Sequence, residues 1–492
     1  MSSSSRSWTW RLLPFSGSVL RVSGPALSED VSSEEKRSYF EDLRDLLRCP
    51  RELWLTYAAI VFEYIGLYSF MSVLSLWLTS DFSFDDNKAS NWFGVFSALL
   101  SLFAFLVGAI ADVVGTRRTL IFSFGAAMLT RALMSVSPSA AIALPALVAY
   151  SFALASGSPV LQTAIHKYSN KRTVAIAFSF FYIALNIGGV LSGQLIDRTK
   201  AFFVDAQTHK LVLRVVDLPL VGPTSMSAYR AIIGLGTLTA AMAFLATMFV
   251  RNDKDIANLA SKAADDAAKA DPTKKKKNPL AVLGEVVRDG GFWRFMLLIG
   301  FLVLVKAIFV HMHSTWPKYI TRERGEDFDW GWLWALNSVL ILVFVPIVTA
   351  FTRKVPAYTV IVIGSFITAA SPFIFALGTS TTIQIAAIVV LTIGEALWSP
   401  RSYEYNVSIA PPGREATYVS LAVLPYFMAK FLVAMTAGKL LTAYCPPTGE
   451  RNSSVMWVII GLMTILGPVG ILAFRRVISP RTATPEEKVL AP

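Results

Sequence analysis

The residues of this chain that could do chemistry sit at the edges and centres of long apolar runs. The segment Gly108-Ala-Ile-Ala-Asp112-Val-Val-Gly115-Thr-Arg117-Arg118 lies between two such runs. There a carboxylate and two arginines flank a glycine turn. Asp112 is placed to cap the next helix or to pair with an arginine, and breaking such a pair lets two helices slide. Gly108, Asp112, Gly115, Arg117 and Arg118 therefore read as a latch, with an ordinary basic loop after a membrane helix as the plainer reading. Deeper in the runs stand Glu63, Lys306, Glu395 and Lys430, each near the middle of its stretch, and Arg131 and Lys439 are deep as well. Charges at that depth are costly and usually face a cavity or one another. Two acids against two bases point to internal pairing, Glu395 with Lys430 or Lys306, and Glu63 facing them from the first half. A purely structural ion pair is the alternative for each.

Helical spacing selects the neighbours of these charges. Tyr64 and Tyr68 fall on one face with Glu63 nearby, and Tyr182 and Asn186 share another. Lys306 and His313 are seven apart and share a face, whereas His311 points elsewhere. Glu395 lies near Trp398 and Ser399, and Tyr426 is four residues from Lys430. These faces outline one aromatic and charged substrate cavity built from Glu63, Tyr64, Tyr68, Tyr182, Asn186, Lys306, His313, Glu395, Trp398, Tyr426 and Lys430. For the aromatic residues alone, lipid contact or core packing is the plainer reading. Glu63, with no arginine beside it at position 64, and Glu395 are the candidates for proton coupling. Nothing reads as catalytic. Of the four histidines, His166 and His209 stand apart, and His311 and His313 are two apart on a helix, so their rings diverge. No glycine-rich phosphate loop, serine nucleophile motif or cysteine metal site is present, so no enzyme activity, cofactor or metal is expected.

The elements that must position these residues follow from composition. The 492 residues are 54% hydrophobic and only 16% charged. Apolar stretches of about 20 residues, the length of a membrane-spanning helix, recur along the whole chain. Twelve spans are read: 53–79, 90–113, 118–136, 140–163, 174–197, 227–250, 292–316, 331–352, 357–378, 381–409, 416–443 and 455–475, with Pro400 expected to kink the tenth. Cys49 and Cys445 lie far apart and imply no disulfide framework. The net charge of +12 does not mark a nucleic-acid binder. Arginine and lysine gather on the side that both termini share, which by the positive-inside bias is cytoplasmic.

The chain divides into a cytoplasmic tail with an amphipathic helix (1–52, the helix over 33–50), a six-helix unit (53–250), a cytoplasmic linker (251–291), a second six-helix unit (292–475) and a short tail (476–492). The linker carries Lys274 to Lys277, a possible contact for anionic lipid or simply a solvated stretch. The outer loop 198–226 reads as a small hairpin carrying Phe202, Gln207 to Lys210, and Leu211 to Val216. Residues 1–28 are serine-rich, carry Arg6, Arg11 and Arg21, and have no acid before Glu29. That composition permits an organellar presequence, while a cytosolic tail is the simpler reading. The plasma membrane is the expected location, with an organellar membrane left open.

The segment 108–118 resembles the cytoplasmic loop between helices 2 and 3 of major facilitator superfamily transporters. Three further segments resemble the proton-dependent oligopeptide transporter family: Glu63-Tyr-Ile-Gly-Leu-Tyr68 with Leu76-Trp-Leu-Thr79, Phe181-Tyr182-Ile-Ala-Leu-Asn186-Ile-Gly188-Gly189, and Gly394-Glu395-Ala-Leu-Trp-Ser399-Pro400 with Ala410-Pro411. The likeness is firm in spans 1–5 and 10 and thin in spans 6–9 and 12. It implies an all-α membrane protein with twelve transmembrane helices in two pseudo-symmetric six-helix bundles, working by alternating access. The departures are specific. Where that family has a first glutamate and an arginine in span 1, this chain has Ile60 and Tyr64, and the span 4 lysine position is Ser158. The expected function is secondary transport of a small polar or zwitterionic organic solute, such as an amino acid or short peptide, with protons as the candidate coupling ion. An uncoupled facilitator of a neutral solute is one alternative, and a non-transporting receptor or scaffold is another. The expected partners are the lipid bilayer and a small-molecule solute, without nucleic acid, and the expected state is a monomer.

Overall fold

An apolar run that crosses a bilayer must satisfy its own backbone, and only a helix does so within one segment. The computed structural model describes residues 39–169, 173–219, 221–251, 288, 290–352, 355–408 and 424–478; the side chains at 39–42, 105–113, 175, 291, 403–408 and 424–428 lie outside that description. After a short helix α1 (Tyr39–Leu47) come α2 (Arg51–Phe82), α3 (Asp86–Val114), α4 (Thr116–Val136), α5 (Ala140–Tyr168), α6 (Val174–Phe203) and α7 (Ala228–Met248). The second half holds α8 (Gly290–Ser314), the short α9 (Trp316–Arg324), α10 (Gly331–Thr352), α11 (Ala357–Phe375), α12 (Thr381–Ser408), α13 (Leu424–Tyr444), α14 (Ser453–Ala473) and a last turn α15 (Arg475–Ile478). Among the described residues, 10 helices are long and apolar enough to cross a membrane. With α3 and α13 the long helices among the described residues number twelve.

The helices pack as two groups. α2 packs on α5, α6 and α7, α4 on α5 and α7, and α3 on α5. In the second group α8 packs on α13 and α14, α11 on α12 and α14, and α10 on α12. Between the groups α3 meets α13, α6 meets α10, and α2 meets α8. The second long helix of each group thus meets the fifth of the other, as a twofold axis along the membrane normal requires. Tryptophans 77, 316, 330 and 457 are fully buried, while Phe122, Leu129, Leu238, Phe351 and Leu462 point outward. Large apolar side chains facing out over whole helices suit a lipid surround.

Local signals end the helices. Gly115, at φ 93°, separates α3 from α4 in a conformation that favours glycine. Ser227 caps α7 by accepting from Arg230 N at 3.2 Å, and Asn452 caps α14. The Arg230 guanidinium donates to the last carbonyls of α4, Ser135 O at 2.7 Å and Val136 O at 2.6 Å, groups that a helix leaves unpaired.

The outer loop differs from expectation in register. α6 runs on to Phe203, so Phe202 is helical, and the hairpin pairs β1 (Arg214–Leu218) with β2 (Gly222–Met226). Alternation across Leu211 to Val216 fixed no starting point, whereas Pro219 and Gly222, at φ 83°, place the turn. The stretch 204–211 closes on itself through a Val204–Leu211 bridge and an Asp205 carboxylate that accepts from Thr208 N at 2.8 Å. α9 is a separate helix that the hydropathy pattern did not signal, and α12 runs as one helix past Pro400. Of the amphipathic stretch 33–50, Tyr39–Leu47 is helical. The serine-rich N-terminus and the lysine cluster of the linker fall outside the described residues, as does the tail from 479.

Candidate functional site

The two helix groups enclose a cavity with two lobes that share Tyr68, Lys306, Phe309 and His313. The first lobe, about 260 Å³, is lined by Tyr182 and Asn186 of α6, by Trp334, Asn337 and Ser338 of α10, and by Glu395, Trp398 and Ser399 of α12. The second, about 410 Å³, is lined by α2, α3, α8 and α13, and ends at Lys430. Its size lies within the range of about 300–1,000 Å³ typical of small-molecule sites. Walls therefore come from both halves of the chain, so any relative movement of the halves changes the cavity.

Polar groups inside the cavity are held in fixed orientations. Asn337 donates from one amide nitrogen to Glu395 Oε2 at 3.1 Å and to Thr392 Oγ1 at 3.0 Å. That fixes the Glu395 carboxylate against α10, a partner that the sequence did not suggest. Lys306 lies with its ammonium 5.6 Å from the centre of the Trp398 ring, in a cation–π arrangement. His313 bonds through Nδ1 to the Phe309 carbonyl at 2.8 Å and sits edge-on to Trp334, 4.5 Å between ring centres. His311 turns away and bonds Thr315 at 2.8 Å.

The structure thus brings Tyr68, Tyr182, Asn186, Lys306, His313, Glu395 and Trp398 to one lobe and Lys430 to the next. Tyr64 lines neither lobe. It packs against Tyr68, 5.2 Å between rings. The side chain of Tyr426 lies outside the described residues.

Glu63 does not face the lysines of the second half. It is buried inside the first helix group against Arg131 of α4, which donates from Nη2 to Glu63 Oε1 at 2.9 Å and from Nη1 to Oε2 at 3.3 Å. Arg131 also donates to the Gly236 carbonyl at 3.0 Å and to the Tyr150 hydroxyl at 2.8 Å. Every arm of the guanidinium is used, so the pair binds α2, α4, α5 and α7 together. The expectation failed because it set Glu63 against the deep lysines of the second half and left Arg131 out of the pairing. The base comes from another helix, although Arg131 at mid-span was itself visible as a deep charge. Asn337 and Ser338 of α10 were also missed. Their signal was two polar residues inside an otherwise apolar helix.

On the face where α2 ends and α3 begins, the two halves are tied together. Asp86, at the start of α3, accepts from Lys318 Nζ at 2.9 Å and from Arg322 at 2.7 and 2.8 Å, both on α9. Burial lowers Lys318 to about 8, with Asp86 pulling the other way. Asp197 of α6 accepts from Gly331 N at 2.6 Å and Trp332 N at 2.8 Å, and so caps α10 across the interface. Beside it Gly193 and Gly331 touch backbone to backbone, and a Cβ on either would overlap the other's carbonyl. Lys200 donates to Phe328 O at 2.7 Å, and the outer loop adds Leu211 N to Glu326 at 2.8 Å. These contacts join the two helix groups across this face.

The latch segment is described only in part. Gly108 and Asp112 are helical positions of α3 whose surroundings lie outside the described residues. Gly115 makes the turn, Arg117 donates to the Met248 carbonyl of α7 at 3.0 Å, and Arg118 is exposed. Among the described residues no group of histidine, cysteine and acidic side chains is arranged to hold a metal.

A family model described as Major Facilitator Superfamily matches residues 56–434. A sequence comparison with curated proteins finds no match. Solved structures that share the fold include a POT family transporter in complex with a thioalcohol conjugated peptide, 15% identical, TM-score 0.68, covering 88% of this chain and 97% of that one. A POT family transporter in complex with 5-aminolevulinic acid is 14% identical, TM-score 0.67, over 88% and 97% of the two chains. A structure reported for substrate recognition in proton dependent oligopeptide transporters is 16% identical, TM-score 0.66, over 87% and 99%.

Proposed function

Since the chain belongs to the Major Facilitator Superfamily, we propose that it is a secondary transporter moving a small polar or zwitterionic organic solute by alternating access. The observation that carries this reading is the cavity itself. It is walled by both helix groups and contains Glu395, Lys306 and Lys430, and ion pairs and caps join the groups across one face, which on this reading seals it there. Rocking one group against the other would break those contacts and expose the cavity there. Similar structures carry a peptide conjugate and 5-aminolevulinic acid, which supports amino acids and short peptides as the first solutes to test. The membrane-spanning helices make it an integral multi-pass protein. The reading puts both termini in the cytoplasm, the sealed face outside, the protein in the plasma membrane, and the working unit as a monomer.

Asp112 with Arg117 and Arg118 is the proposed inner latch, which holds the cytoplasmic ends of α3 and α4 in register. Proton coupling is assigned to Glu395. It lies in the cavity with a neutral amide as its hydrogen-bond partner, whereas Glu63 is held by Arg131 within one helix group. Purified protein in liposomes with an imposed pH gradient tests the reading. Accumulation of a labelled amino acid or dipeptide that depends on the gradient, and on Glu395, supports proton symport. Equilibration without response to the gradient replaces symport with facilitation. No movement of any solute leaves only the receptor or scaffold reading.

A further inference from the structure

The second lobe has an unusual charge balance. Its walls are mostly apolar, with Met71, Phe93 and Leu100 on one side, and among the described residues its only charged members are Lys306 and Lys430. Among the described residues Lys430 has no carboxylate partner. Among the described residues the acid of the connected cavity is Glu395, in the other lobe. Lys306 stands between them, its charge attracting Glu395 and repelling Lys430. The order along the cavity is therefore one acid, one base, one base, with apolar walls around the last. An ammonium in such walls is costly until an anion joins it.

Resting on the transport reading above, we infer that Lys430 is an anion subsite: the solute places a carboxylate against Lys430 and its apolar portion along Met71, Phe93 and Leu100. Because the cavity holds two lysines and one acid, the solute it complements best carries net negative charge. An amino acid or dipeptide with an acidic side chain fits, its amine toward Glu395 and an acid group toward Lys430. A neutral zwitterion would balance Glu395 and one lysine and leave the other uncompensated. The base is presented from α13 of the second helix group and lies opposite Phe93 and Ser97 of α3 in the first. An anion there therefore sits where the two groups meet, and its binding would depend on how far they have rocked apart.

The test uses the full-length protein in detergent and in liposomes, with matched probes that differ in charge alone: Ala-Glu, Ala-Gln and Ala-Lys, together with each parent amino acid and its carboxamide. Half-saturating concentrations are read from ligand-induced thermal stabilisation, and transport from counterflow. The acidic member of each set should bind about tenfold more tightly than its neutral partner, the scale of one charge-assisted hydrogen bond. Lys430→Gln should abolish that preference, so that Ala-Glu and Ala-Gln bind alike. Lys439→Gln, on the exposed face of the same helix, should leave the preference unchanged. Equal binding of acidic and neutral members, or a preference that survives in Lys430→Gln, overturns the inference while counterflow of Ala-Gln keeps the transport reading. Absence of both stabilisation and counterflow for every probe overturns both.

Discussion

The buried pair of Glu63 and Arg131 gives the sharpest energetic prediction. Both side chains are removed from surrounding solvent, at 6% and 0% exposure. Arg131 also donates to Tyr150 and Gly236. Removing one partner of such a pair strands the other, at a cost of about 3–5 kcal/mol. That corresponds to about two to four factors of ten in the folding equilibrium. The two losses should not be equal. A stranded carboxylate can escape by taking up a proton, whereas a guanidinium cannot shed one. Glu63→Gln, which leaves the arginine charged, should therefore destabilise more than Arg131→Met. Replacing both, as Glu63→Met with Arg131→Met, removes both charges and should recover most of the loss, because well-packed apolar side chains often substitute for a buried pair without penalty. Thermal unfolding of purified protein, followed by size exclusion for monodispersity, reads these variants, and Glu63→Met as a further single variant closes the cycle. The reasoning is refuted if Glu63→Gln melts with wild type, or if the double variant loses as much as the two single variants combined.

Three further outcomes are expected. Asp112→Asn should slow uptake far more than it weakens ligand binding, and near-wild-type rates in well-expressed protein would remove the latch. Gly331→Leu should prevent the outer face from closing, because its side chain would meet the Gly193 carbonyl and the Asp197 carboxylate; uptake should be lost, and wild-type uptake would disprove the seal. Lys318 sits at about 8 when buried and at 10.5 when hydrated, so the closed state binds fewer protons between those values and is stabilised as pH rises through that window. An impermeant thiol reagent added outside should therefore label Ser97→Cys less as pH rises, relative to unfolded protein. Lys318→Met should flatten that trend, and labelling that rises instead would contradict the sign.

The spans were legible because hydrocarbon imposes one rule on every segment that crosses it. Lengths of apolar sequence gave the helices, and the polar stretch 251–291 after the sixth span divided them into two sets of six. What hydropathy could not show was helix extension beyond the apolar stretch. α6 runs on through Lys200 to Phe203 because Lys200 finds the Phe328 carbonyl across the interface. α9 escaped notice for the same reason. Its sequence, Trp316 to Arg324, is polar, and its role is to carry Lys318 and Arg322 to Asp86.

The cavity was partly legible because helical spacing limits which side chains share a face. Spacing says nothing about which face of one helix meets which face of another. Lys306, His313, Glu395 and Trp398 were grouped by position within their helices, and the structure places them in one lobe. Glu63 satisfied the same criterion and went elsewhere. The difference matters on the proposed rocking motion. Glu63 and Arg131 belong to the same helix group, so they travel together and their bond costs nothing when the groups move. Asp86 and its partners Lys318 and Arg322 belong to opposite groups, so that cluster must break for the outer face to open. The buried pair therefore contributes to the stability of one half, and the outer cluster to the balance between states. A charge at membrane depth reveals which role it has only when its partner's helix is known.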